Sequence, residues 1–114
     1  MKRSIGVLAV AFALVVLAAP LHAEVWKALP LMDGHCIEKM AKDPDAHPRS
    51  CALQCSKGGY GVIAADGTFL KFDEEGNKKA LEALKKSEQK DHLRATVEGT
   101  LNGDVIAVTA ISLE

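Results

Sequence analysis

His92-Leu93-Arg94-Ala95-Thr96-Val97-Glu98-Gly99-Thr100-Leu101, then Asn102-Gly103, then Val105-Ile106-Ala107-Val108-Thr109-Ala110-Ile111-Ser112-Leu113 is the stretch that decides the fold. Apolar and polar residues alternate through both arms, so each arm has one face for a core and one for water, as a β-strand requires. The Asn-Gly pair between them is the strongest short hairpin signal. These arms are the fourth and fifth strands.

Working outward from that hairpin, Asn77 is suited to cap a helix running from Lys78 to Ser87, with Ala80, Leu81 and Leu84 as its apolar stripe and lysines on its wet face. Before it, the apolar runs Tyr60–Ala65 and Thr68–Phe72 flank Asp66-Gly67, a second hairpin signal, and read as strands two and three. Glu24–Met32 reads as strand one, with Pro30 confining it to an edge or a bend. A helix between the third and fourth of five strands is the element order of an OB-type barrel. The predicted fold is therefore mainly β with two short helices (α+β): a small five-stranded OB-like barrel.

Between strands one and two lies a helical insert, at about residues 34–58, which carries most of the chemistry. Asp33-Gly34 turns the chain into Cys36–Lys42, long enough for two helical turns. Asp43-Pro44-Asp45-Ala46-His47-Pro48 is a loop, because each proline pushes the residue before it out of the helical region. Pro48 suits the first position of a second helix, and Gly58-Gly59 supplies its stop.

The start of the chain has the form of a secretory signal peptide over residues 1–23. Lys2 and Arg3 precede an apolar run from Ile5 to Ala19, Pro20 ends the run, and cleavage is expected after Ala23. The apolar run falls short of the roughly 20 residues a membrane span wants, so no membrane association is expected after cleavage. A periplasmic or secreted domain over residues 24–114 is the expected product. Without Lys2 and Arg3 the chain carries 12 basic and 15 acidic side chains, a net of −3. No basic stripe is present, which argues against a nucleic-acid partner.

An exported chain meets oxidising conditions, where its three cysteines cannot all pair within one molecule. Their spacing is Cys36, ten residues, His47, three residues, Cys51, three residues, Cys55. Three thiolates and one imidazole are the donor set of a closed tetrahedral zinc site, and they also suit Cu(I). Cys51 and Cys55, four apart on a helix, would share a face, with His47 at the cap. A second reading is a structural disulfide from Cys36 to Cys51 or Cys55, since a regular helix holds Cys51 and Cys55 too far apart to bridge. A third is thiol–disulfide exchange by the cysteine left over. His35 and Met40 are further possible soft donors. Trp26, Tyr60, Phe69 and Phe72 are expected in the core, and the lysines at 78, 79, 85 and 86 on a solvated helix face.

The pattern resembles a group of small exported bacterial proteins of unassigned function. The residues that carry the likeness are Asp33 to Cys36 (Asp-x-x-Cys), His47 to Gly59 (His-x-x-x-Cys-x-x-x-Cys ending in glycines), and the Val97 to Val108 run. The resemblance implies an OB-like barrel and no particular activity. No serine nucleophile with a base, phosphate loop or haem-attachment motif is present, so the expected function is an exported binding module and not an enzyme. Its expected partner is a metal ion held by Cys36, His47, Cys51 and Cys55, or an unidentified protein; the sequence does not indicate an oligomeric state.

Overall fold

Five strands of this chain close on themselves, each bonded to two others. The computed structural model describes residues 23–114; the expected export signal lies almost wholly outside the described residues. The strands are β1 (Glu24–Asp33), β2 (Tyr60–Ile63), β3 (Phe69–Phe72), β4 (Arg94–Asn102) and β5 (Val105–Leu113). They form a closed barrel in the order β1-β2-β3-β5-β4. All pairings are antiparallel except β3 with β5, which run parallel at Lys71–Val105 and Phe72–Ile106. A barrel in this order, with a helix between β3 and β4, is the expected OB-like architecture.

Closure depends on β1 changing partners along its length. Glu24–Pro30 pairs with β4, and Leu31–Asp33 pairs with β2. The register with β4 shifts between Trp26 and Leu29, where Ala28 takes a positive φ of 49° and donates its N–H to Thr96 Oγ1 at 3.1 Å. A bulge of this kind bends a strand and increases its twist. Pro30 has no N–H to offer a ladder, and it sits at the handover from one partner to the other.

The core is filled by alternating residues of the strands and by one helix. Leu31, Val62, Leu70, Phe72, Ala95, Val97, Ile106 and Val108 are buried in it, and Trp26 packs against it. Of the other aromatic residues expected inside, Tyr60 and Phe72 are buried and Phe69 is half-buried. The helix between β3 and β4 spans Glu74–Lys86 and buries Gly76, Ala80 and Leu84.

That helix starts four residues earlier than Asn77 suggests. Its cap is Asp73, whose Oδ1 accepts the Gly76 N–H at 2.9 Å and also the Val108 N–H at 3.2 Å. Gly76 looks like a helix breaker but is demanded by packing. A Cβ there would lie 2.5 Å from Val108 Cγ2 and 2.8 Å from Phe72 Cβ. Asn77 is used differently: its Oδ1 accepts the Tyr60 N–H at 2.8 Å and ties the helix to the start of β2.

The β2–β3 hairpin is also longer than the Asp-Gly pair implies. Ala64 N–H bonds Thr68 O at 2.8 Å and Gly67 N–H bonds Ala64 O at 2.9 Å, so Ala65, Asp66 and Gly67 make a three-residue loop. Its last position carries Gly67 at φ 89°.

Candidate metal centre

Asp33 ends β1, opposite Tyr60 of β2, and its side chain is fully buried. A buried carboxylate is costly unless its oxygens are partnered. Oδ1 is: it accepts the His35 N–H at 3.1 Å and the Cys36 N–H at 2.8 Å. The carboxylate therefore organises the turn from the barrel into the insert and sets the backbone of Cys36, which precedes the short helix α1 (Ile37–Met40).

The other end of the insert returns to the same place. Gly34 N–H bonds Gly59 O at 3.0 Å, and a Cβ on Gly34 would meet Gly58 O at 2.5 Å. Only a glycine lets the two ends approach this closely. Both ends of the insert are thus held at the rim where β1 gives way to β2.

His47 reaches the site from the middle of the insert. A 3-10 turn over Pro44–Ala46 precedes it, and Pro48 follows and favours the extended backbone that His47 adopts (φ −74°, ψ 111°). The residue is 1 % exposed. Its Nε2 comes within 2.6 Å of Asp33 Oδ2. That separation is a direct contact, yet the atoms lack the alignment of a hydrogen bond, and neither has another partner. The two atoms touch, and the hydrogen bond between them is incomplete.

Cys36 completes the group. One donor atom each from Asp33, Cys36 and His47 lies within 4.8 Å of the others. The Cys36 thiol is pushed up to about 11 from an ordinary value of 9.0, by burial first, then by the Asp33 carboxylate, then by the neighbouring Cys55. Tyr60 adjoins the same charges. Its hydroxyl donates to Ala52 O at 2.7 Å, and burial, followed by Asp33 and Cys55, pushes it up to about 12.

The donors expected from the sequence are therefore distributed unevenly. Cys36 and His47 meet, while Cys51 and Cys55 both lie outside the cluster formed with Asp33. The second helix, α2, spans only Arg49–Gln54. Cys55 is its C-cap at φ −97° and ψ 26°, followed by a 3-10 turn over Ser56–Gly58. The Cys55 N–H still bonds Cys51 O at 3.0 Å, so the two cysteines lie one helical turn apart, as expected, at the very end of the helix. All three cysteines are free, half-buried thiols. His35 is exposed and outside the cluster, and Met40 is half-buried.

Asp33 is the candidate donor that sequence reasoning missed. Read as a turn residue before Gly34, it is in fact the last residue of a strand with its side chain turned inward. Its position three residues before Cys36 was the available signal, since an aspartate there can accept the N–H of the cysteine it positions.

No family model, curated protein or solved structure matches this chain. The likeness to small exported proteins rests on the motif residues alone. The barrel and the Asp33, Cys36, His47 cluster stand on their own geometry.

Proposed function

We propose that this protein is an exported binding module that holds one metal ion at Asp33, Cys36 and His47. The observation that carries the reading is the convergence of two fully buried polar atoms, Asp33 Oδ2 and His47 Nε2, which touch each other without completing a hydrogen bond, beside a cysteine sulfur. Buried polar atoms without partners are rare in folded proteins, and a bound ion is one of the few things that satisfies several together.

The donor mixture favours zinc over Cu(I). Copper in its lower oxidation state prefers an all-soft set, whereas zinc accepts carboxylate, imidazole and thiolate in one tetrahedron. Asp33 has the second-shell bonds a ligand needs, because its Oδ1 is held by two backbone N–H groups while Oδ2 is left free. The set shares Cys36 and His47 with the Cys36, His47, Cys51, Cys55 set expected from the sequence, and has Asp33 in place of Cys51 and Cys55.

The test is metal content of reduced, full-length protein purified and desalted without air. One zinc per chain by native mass spectrometry is expected, and substitution by Co(II) should give a thiolate-to-cobalt charge-transfer band. Asp33→Asn should lose both while remaining folded, because the amide oxygen still accepts the two backbone N–H groups. A wild-type protein with every thiol reduced and no retained metal would sink the reading. In that case the His47–Asp33 contact is simply a buried polar tie between the insert and β1.

A further inference from the structure

Over its second half, β5 is paired on one side only. It pairs with β3 at Val105 and Ile106, and from Val108 to Leu113 its partner among the described strands is β4 alone. Glu114 N–H bonds Arg94 O at 3.0 Å, and along an antiparallel ladder the backbone groups of alternate residues face the same neighbour. Ser112, opposite Thr96, therefore turns its backbone groups to β4, whereas Ile111 and Leu113 turn theirs away, to an open edge. Over Glu24–Pro30, β1 likewise pairs with β4 alone, but that edge is guarded by Glu24, Lys27, Pro30 and the bulge at Ala28. Val105–Leu113 contains no charged residue and no proline. An edge without such guards is a template for another strand.

A groove of about 410 Å³ lies beside this edge, at Thr109–Ile111. Its opposite wall is one face of the helix Glu74–Lys86, made of Lys79, Glu82, Ala83 and Lys86 at helical spacing. We propose that an extended acidic segment of a partner protein lies in this groove and adds to the barrel as a strand beside β5. Its backbone bonds the N–H and C=O groups of Ile111 and Leu113, and its side chains supply the selectivity. Alternate side chains of an added strand share a face, so one set turns to the helix. There two lysines outweigh one glutamate. Lys79 and Lys86 stand about 10 Å apart along the helix axis, which matches carboxylates on alternate residues of the peptide. A second copy presenting its own β5 would bring these lysines a strand with no carboxylate side chain, so it fits the groove less well. The groove shares no residue with the Asp33, Cys36, His47 cluster, and strand addition does not depend on the metal reading.

The experiment follows backbone amide exchange of the full-length protein by NMR, alone and with an acetylated, amidated hexapeptide alternating glutamate and valine. In dilute protein alone, the Ile111 and Leu113 amides should exchange much faster than the Ser112 amide. Saturating peptide should slow both by about tenfold or more and leave Ser112 unchanged. The same peptide N-methylated at every residue keeps its carboxylates but has no backbone donors, and it should give no protection. Replacing its glutamates with lysines should abolish binding, and Lys79→Glu combined with Lys86→Glu should weaken binding of the acidic peptide by about fivefold or more. Ile111 and Leu113 amides as protected as Ser112 in dilute protein would overturn the open edge. Absence of protection at millimolar acidic peptide, or equal binding of the N-methylated form, overturns strand addition. Equal binding of the lysine peptide overturns the acidic preference. Protection that grows with protein concentration alone, together with a dimer in sedimentation, gives the edge to a second copy and overturns the peptide partner. The peptide series on wild-type protein decides the matter even where the double variant does not fold.

Discussion

The barrel and the insert that interrupts it are held together by different forces. In the barrel, Leu31, Val62, Leu84, Val97 and Ile106 are almost completely removed from water and the cohesion is apolar. In the insert, α1 and both 3-10 turns bury no residue, and α2 buries only Ala52. Polar ties hold it instead. Tyr60 donates to Ala52 O, Arg49 N–H bonds Lys90 O at 2.7 Å, His92 N–H bonds Asp45 O at 3.0 Å, and the Asp45 carboxylate pairs with Arg94 at 2.6 Å. Asp33 and His47 are the only fully buried polar side chains among the described residues, and their contact lies between the two regions. A segment with so little apolar burial is expected to open locally at a lower free energy than the barrel. It gains most from a metal ion or a covalent link.

His47→Ala is the largest test of this division. It leaves the Asp33 carboxylate buried without its partner, and breaking a buried pair in this way costs about 3–5 kcal/mol. The expected outcome is selective: hydrogen exchange across residues 34–59 accelerates strongly while β4 and β5 keep their protection. Loss of protection in both regions together would mean that the two do not form separate units.

Leu84→Ala probes the other side. The side chain is fully buried on the helix between β3 and β4, and truncation of such a leucine costs about 2–5 kcal/mol through lost burial and a residual cavity. Its effect should appear as a lower global melting temperature. Zinc affinity should stay within a few-fold of wild type, measured at a temperature where the variant is folded. A large loss of affinity would show that the site depends on core packing and not on the rim alone.

The same contrast explains what was legible in the sequence. Barrel strands announce themselves because burial on one face forces period-two alternation, and Leu93–Leu113 could be placed from that alone. The helix boundary was misjudged because Gly76 weakens local propensity while tertiary packing against Val108 and Phe72 requires it. In the insert no periodicity operates, so its cysteines and histidines could be enumerated but not arranged. The helical spacing of Cys51 and Cys55 did not bring them to the cluster, and Asp33 became a candidate donor only once its inward orientation at the end of β1 was seen. The joint between the two regions is made of single polar contacts, which leave no repeating trace in the chain.

Tyr60 lies on that joint, and Tyr60→Phe should cost roughly 1–3 kcal/mol by stranding the buried carbonyl of Ala52. It also carries a pH signature. The phenol is pushed from an ordinary value of 10.0 up to about 12, so the folded state holds this proton more tightly than the unfolded state does. The corresponding stability is fully present below pH 10 and is lost as pH rises through about 12. Denaturant titrations of metal-free protein over that range should show a steeper fall for wild type than for Tyr60→Phe. Parallel slopes would assign the alkaline loss to other groups.

The smallest effect should come from Asp73→Ala, which removes a helix cap from the barrel at about 0.5–2 kcal/mol. Asp73 accepts the Gly76 N–H and also the Val108 N–H of β5, so its loss frees one donor at the helix start and weakens one tie between helix and strand. Neither group belongs to the insert. Fraying confined to the first turn of the helix, with metal content and insert exchange unchanged, is therefore expected. Asn77 makes the measurement informative, because it lies one turn further along the same helix and holds the Tyr60 N–H at the insert's exit. If Asp73→Ala accelerates exchange at Tyr60 and at Gly34, the disturbance has travelled from the cap through Asn77 to the rim. The insert would then take its stability from the helix end as well as from Asp33 and His47.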